Sequence, residues 1–236
     1  MNPAPTALTL ISSMATRHLL TALAQAHLRA GGPATHIESV GGVDAAKRVQ
    51  GGETFDVVVL ADDAIARLDA AGRLLPGSVR PIADSSVAIA VRTGAALPDV
   101  GSEAALRAAV LQARAIGYST GPSGTALLQL FERWGVMAAL KDRLVQARPG
   151  VPVGRLVADG EVEIGFQQLS ELLDLDGITL LGGMPPEVDI VSRFSGAVVA
   201  GAAQPAAGLA LLDFMASPVN DGLKRQHGMR AVSPAH

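Results

Sequence analysis

Short apolar runs alternate with amphipathic stretches from the start of the chain. Thr6 to Ile11 is a β-rich apolar run ended by Ser12-Ser13. Leu19, Leu20, Leu23, Ala24 and Leu28 then recur at helical spacing up to Gly31-Gly32, which predicts a helix. Thr35 to Ser39 reads as a short strand, broken by Gly41-Gly42, and a helix follows to Gln50. Asp56 to Leu60 (DVVVL) is continuously apolar after its first residue, as a strand of a parallel sheet buried on both faces should be. Ile65 to Ala71 completes a third helix, stopped by Gly72. This β-α-β-α-β-α rhythm belongs to a doubly wound sheet.

A second β/α series follows. Ser86 to Val91 is a strand, and Ser102 caps a helix to about Ala113. Ala115 to Ser119 is a strand, Gly121 to Gly124 a turn, and Thr125 to Trp134 an amphipathic helix. Pro152, at a first helical position, opens a short helix closed by Gly160. Glu163 to Gln167 and Ile178 to Leu181 are strands around a helical turn at Leu169 to Leu173. Val188 to Val199 is long and β-rich, and helices Ala206 to Ala216 and Pro218 to His227 end the chain. The expected fold class is therefore α/β.

Composition narrows the function. The 236 residues suffice for two small lobes, each with its own core. Aromatic residues make up 3%, so bases have few rings to stack on, and a net charge of −3 offers no field for a phosphate backbone. No nucleic-acid partner is expected. With no cysteine, thiolate catalysis and Cys-ligated zinc are excluded. None of His18, His27, His36, His227 and His236 shows metal-ligand spacing, and no dinucleotide, P-loop or nucleophile-elbow motif occurs. No metal and no cofactor are expected. The uncharged stretch Ser195 to Leu212 contains Gln204-Pro205 and several glycines, so no membrane insertion is expected. The first basic residue is Arg17 and Leu8 to Ile11 is shorter than a leader's apolar core. The sequence as written is expected in the cytoplasm, or in the periplasm if a leader has been removed.

Four strand-to-helix turns are rich in Ser, Thr and Gly: Ser12-Ser13, Ser39 with Gly41-Gly42, Ser123-Gly124-Thr125, and Gln167-Gln168 before Leu169-Ser170. Open α/β sheets bind ligands beyond the carboxyl ends of their strands, where helix N-termini and hydroxyls supply neutral donors to an anion. The same residues are also ordinary caps and turn formers. Arg17, Arg80, Arg155 and Arg193 are candidate carboxylate clamps beside them. Asp62-Asp63 follows a strand, where an N-cap role is the simpler account. His18, Tyr118, Glu38 and Glu171 are weak candidates for an acid or base.

The pattern resembles the type 2 periplasmic binding protein fold, most closely the molybdate-binding family of ABC importers. The carriers are LISS (Leu10 to Ser13), ESVGG (Glu38 to Gly42), and GGETFDVVVLADDAIARLDAAGRL (Gly51 to Leu74). Others are AIGYSTGPSGT (Ala115 to Thr125), VADGEVEIGFQQ (Val157 to Gln168), and LLDFMASPVNDGLKRQHGM (Leu211 to Met229). The resemblance implies two doubly wound lobes joined by a two-strand hinge. The first would take residues 1–82 and 188–236, the second 83–187. It also implies that one small oxyanion or carboxylate is clamped between the lobes, and that an ABC permease is the partner if the protein is exported. By position, Ser12, Ser39 and the turn Pro122 to Thr125 match the family's ligand groups. The family's tyrosine ligand aligns with Gln168, which departs from the pattern. Aconitate isomerase, a relative on this scaffold, implies the alternative: a cofactor-free isomerase shifting a proton in an unsaturated tricarboxylate, with Arg17 or Arg155 on the carboxylates.

Overall fold

The computed structural model describes residues 7–148 and 150–232. Thr6, the expected start of the first strand, and His236 lie outside them. The chain divides into two compact units, Met1–Asp84 with Arg193–His236, and Ser85–Ser192.

The first unit begins with β1 (Leu8–Ser13), α1 (Arg17–Arg29), β2 (Thr35–Val40), α2 (Gly42–Gln50), β3 (Val57–Ala61) and α3 (Asp62–Ala70). Strand β1 lies between β2 and β3 and runs parallel to both. Side chains of a strand alternate between faces, so an unbroken apolar run feeds two cores at once. Leu8, Leu10, Val57 and Val59 enter one core with Leu19, Leu20 and Leu23 of α1. Ile11, Val58 and Leu60 enter the other with Ala45 and Val49 of α2 and Ile65 and Leu68 of α3. Each such fully buried side chain contributes roughly 1.5–3 kcal/mol, so aliphatic residues suffice without aromatic ones.

Strand β4 (Arg80–Arg92) leads into the second unit. There follow α4 (Glu103–Gln112), β5 (Ile116–Tyr118), α5 (Pro122–Arg133), α6 (Met137–Leu140), β6 (Leu144–Gln146), α7 (Val153–Asp159), β7 (Ile164–Gln168), α8 (Leu169–Leu172) and β8 (Ile178–Gly183). The strand order is β4-β7-β5-β6, with β8 paired to β4. β5 is parallel to both β6 and β7, and β4 is antiparallel to β7. Val87, Ile89, Ile164 and Phe166 pack with Leu127, Leu130 and Phe131 of α5. The opposite face carries glycines: a Cβ on Gly165 would come within 2.5 Å of Val157, and one on Gly117 within 2.8 Å of Val153. Their absent side chains let α7 lie directly on β5 and β7.

Strand β9 (Val191–Val198) returns to the first unit and pairs antiparallel with β3. Helix α9 (Pro205–Ala216), a single turn at Pro218–Asn220 and α10 (Asp221–Gln226) finish the chain. Leu211, Leu212 and Met215 join the α1 side of the core. Buried Asp56 ties this end to the beginning: Oδ2 accepts from the Thr9 amide and hydroxyl, and Oδ1 from the Gln204 amide.

Some local expectations are corrected. Helix α5 begins at Pro122, so Pro-Ser-Gly is its first turn and not a preceding loop. Pro152 is the residue before α7, with extended backbone, while Gly160 does close that helix in the left-handed region at φ 78°. Ala61 precedes α3, which leaves Asp62 and Asp63 in its first turn. β9 begins at Val191, since Pro186–Val188 forms a helical turn. Ser102 does cap α4, accepting from the Ala105 amide, and Ser217 accepts from the Val219 amide.

Candidate functional site

In the first unit the parallel register sets the carboxyl ends of β1, β2 and β3 on one edge, with α2 and α3 starting there. Ser12 is the register partner of Ser39, and their Oγ atoms lie 2.9 Å apart. Ser12 is fully buried. The next residue, Ser13, is also buried, and its hydroxyl has no hydrogen-bond partner among the described residues. Gly42, the first residue of α2, lies against it: a Cβ there would stand 3.5 Å from Ser13 Cβ. Gly41 precedes α2 with extended backbone. A hydroxyl pair therefore stands at the ends of β1 and β2, and the unpartnered Ser13 hydroxyl, on the next residue of β1, lies at the start of α2. A buried hydroxyl left unpaired costs free energy that a ligand oxygen returns.

Charged candidates of this unit fall into two groups. Arg80 binds Asp213 at 2.6 Å and the carbonyls of Gly77 and Val79. Arg193 holds buried Asp84 through two hydrogen bonds. Glu38 is gripped by both terminal nitrogens of Arg48, which also binds Glu53. That guanidinium holds the Glu38 carboxyl below its usual range, which suits an ion pair and not a base. Arg17 is different. It opens α1, is exposed, and makes no ion pair among the described residues. His18, beside it, is exposed as well.

In the second unit, β5, β6 and β7 end on one edge, where α5, α7 and α8 begin. Ser123 is buried in the first turn of α5, with its Oγ 3.0 Å from that of Ser119. A Cβ on Gly124 would meet the Ser119 carbonyl oxygen at 1.9 Å, so only glycine lets the helix start so close to the strand end. Thr125 is exposed on the same turn, and Tyr118 is half-buried against the α5 core. Arg155 is exposed on α7 and paired with Asp159.

Gln167 and Gln168 are both buried but do different things. Gln168 Nε2 donates to Ser192 Oγ at 2.8 Å, and its Oε1 has no partner among the described residues. The amide thus keeps one free pole. Gln167 has none. Its Oε1 accepts from the Val153 amide at the start of α7 at 2.7 Å, and its Nε2 donates to Glu171 Oε2 at 2.8 Å. Burial pushes the Glu171 carboxyl up to about 7, against the opposing effect of the Gln167 bond. Ser170, next to it, is buried with an unpartnered hydroxyl, as is Ser85 on β4. Ser170 belongs to the fourth turn singled out from sequence, whereas Ser85, Ser119 and Ser192 were not among the expected site residues. Ser119 carried a signal, since it closes the strand expected at Ala115 to Ser119 and stands four residues before Ser123. Among the described residues no group of acidic, histidine or cysteine side chains is arranged to hold a metal, and no helix is long and apolar enough to cross a membrane.

Residues 8–230 match the family described as bacterial extracellular solute-binding protein. The chain belongs to that family. Among solved structures it is similar to the periplasmic molybdate-binding protein of Azotobacter vinelandii, with a TM-score of 0.80 and 21% identity over 97% of this chain and 100% of that one. The sulfate-binding protein SubI of Mycobacterium tuberculosis H37Rv superposes with a TM-score of 0.75 at 18% identity, over 97% and 88% of the two chains. These likenesses carry the periplasmic binding protein fold. In sequence the solute-binding chain is 35% identical to aconitate isomerase of a Pseudomonas species over 220 residues, 90% of this chain and 83% of that protein.

Proposed function

We propose that this solute-binding protein binds a small carboxylate, that Ser12, Ser13, Ser39, Gly41 and Gly42 of one unit and Ser123, Gly124 and Thr125 of the other are its neutral donors, and that Gln168 adds the second hydrogen of its Nε2 while Gln167 is spent on Val153 and Glu171. The observation that carries this reading is the hydroxyl pair of Ser12 and Ser39, together with the buried, unpartnered hydroxyl of the next residue, Ser13, at the start of α2. Hydroxyls and helix amides stabilise an anion without the desolvation cost of a buried cation. A carboxylate is favoured over a tetrahedral metal oxyanion by two features. Gln168 stands where the resemblance places a tyrosine, and Arg17 is a cation without an ion-pair partner among the described residues. Arg155 would join it only by giving up Asp159. If the protein is exported, an ABC permease is its partner.

A second reading is favoured by the 35% identity to aconitate isomerase over 90% of this chain. In it, the bound molecule is an unsaturated polycarboxylate and the protein shifts a proton along it, without a cofactor.

A thermal-shift screen against molybdate, tungstate, sulfate, phosphate and di- and tricarboxylates, including cis- and trans-aconitate, tests both. A ligand at a hundred times its Kd adds about 2.7 kcal/mol of stability. A rise in melting temperature with carboxylates is the expected result, and a rise with molybdate or tungstate alone overturns both readings. Proton NMR of each stabilising carboxylate, incubated with the protein, then separates binding from isomerisation.

A further inference from the structure

The side chain of Gln167 fixes where a proton can sit on its neighbour. A backbone amide can only donate, so the Val153 N–H holds Gln167 Oε1 and prevents the amide from turning over. Its Nε2 must then face Glu171 as a donor, and Glu171 Oε2 must accept. A proton on this carboxyl is therefore favoured on Oε1, the oxygen that Gln167 leaves free. Gln167 is the sole hydrogen-bond partner of Glu171 among the described residues.

The surroundings leave the carboxyl without a cation. β7 carries no ionisable residue, and α7 carries Arg155 and Asp159, which are paired with each other. Leu172 of α8 packs on β4 and beside β8. β8 has no charged residue; β4 has Arg92 at its far end, and Arg80 and Asp84 at its near end, both paired in the first unit. Asp174 and Asp176 follow α8, and neither acts on Glu171. A half-buried carboxyl with one fixed neutral donor is suited to take and return protons near neutral pH.

We propose that Glu171 is the proton-carrying group of the isomerase reading, taking a proton from one carbon of an unsaturated polycarboxylate and returning it to another. Glu171 Oε1 removes a proton from the methylene carbon. The electron pair of that C–H bond becomes the new C=C bond, and the old π pair moves to its far carbon. The same carboxyl returns the proton there. Atoms and charge balance with no oxidant, reductant or cofactor. One carboxyl serves both steps because its two protonation states are both populated at neutral pH.

The inference rests on the isomerase reading, and the test separates the two. Isomerisation of cis- and trans-aconitate is followed by NMR from pH 5 to 9 for the wild type, Glu171→Gln and Glu171→Asp, with thermal shift by the same compounds as the binding readout. Expected are a wild-type rate that rises with pH through a midpoint near 7, a loss of at least about 100-fold in Glu171→Gln with the thermal shift retained, and partial activity with a displaced midpoint in Glu171→Asp. Wild-type isomerisation with Glu171→Gln within about threefold of it overturns the inference alone. Wild-type binding without any isomerisation overturns the reading and the inference together.

Discussion

At the scale of single residues, the information lies in which polar atoms are spent and which are left over. Asp56 is as buried as Ser12, yet its oxygens are occupied by Thr9 and Gln204, so it joins strands and cannot serve a ligand. Ser13, Ser170 and the Oε1 pole of Gln168 are buried and still have bonding capacity. Sequence alone singles out Ser12, Ser13, Ser39 and Gln168 because each stands at a strand end before a helix. It does not separate Gln167 from Gln168, since their difference rests on Val153 and Ser192, fourteen and twenty-four residues away. Nor does it show that three of the four arginine candidates are already held by Asp213, Asp159 and Asp84. Ser39→Ala removes one member of the hydroxyl pair while leaving the strand ladder intact. It should weaken binding of the stabilising carboxylate about tenfold, as expected for about 1.4 kcal/mol, with little change in unfolding free energy; isothermal titration calorimetry and urea unfolding measure the two.

At the scale of elements, the apolar runs were the legible part. β1, β3 and the helices after them follow from alternation and 3.6-residue spacing, because both faces of the strands are apolar. Elements held by special contacts were not legible. β4 begins at Arg80, six residues before the strand expected from Ser86, and runs through the polar Asp84-Ser85 because Asp84 is buried against Arg193. β6 and α6 are three and four residues long, too short to show a period. The start of α5 was hidden because Pro-Ser-Gly has turn chemistry, whereas here proline fills the first helical position and glycine avoids the Ser119 carbonyl. Gly124→Ala should therefore destabilise by about 1–3 kcal/mol, and Gly121→Ala, whose Cβ would meet nothing within 4 Å, by clearly less; paired urea denaturation curves check this.

At the scale of the whole molecule, two titrating groups act on stability in opposite directions. His27 is buried beneath Phe214, with ring centroids 5.0 Å apart, and burial lowers its pKa below 6.5. The folded state prefers it neutral, so its contribution is complete above pH 6.5 and is lost as pH falls through the lowered value. Glu171 is raised from 4.5 to about 7, so the stability it adds is complete below pH 4.5 and is lost as pH rises through 7. Glu171→Gln should flatten the decline between pH 5 and 8, and His27→Phe the loss below pH 6, when melting temperature is followed against pH. The division of the chain also bears on the order of folding. One unit is made of two separated segments, whereas the other is continuous, and the ends of the continuous one are joined by the Val87 to Ile190 hydrogen bond. Until Ser85–Ser192 is compact, pairing β3 with β9 must close a long flexible loop and bear its entropy. Once it is compact, that cost is largely gone. Refolding should therefore proceed from the inside of the sequence outward, with protection of β4, β5 and β7 amides preceding that of β3 and β9.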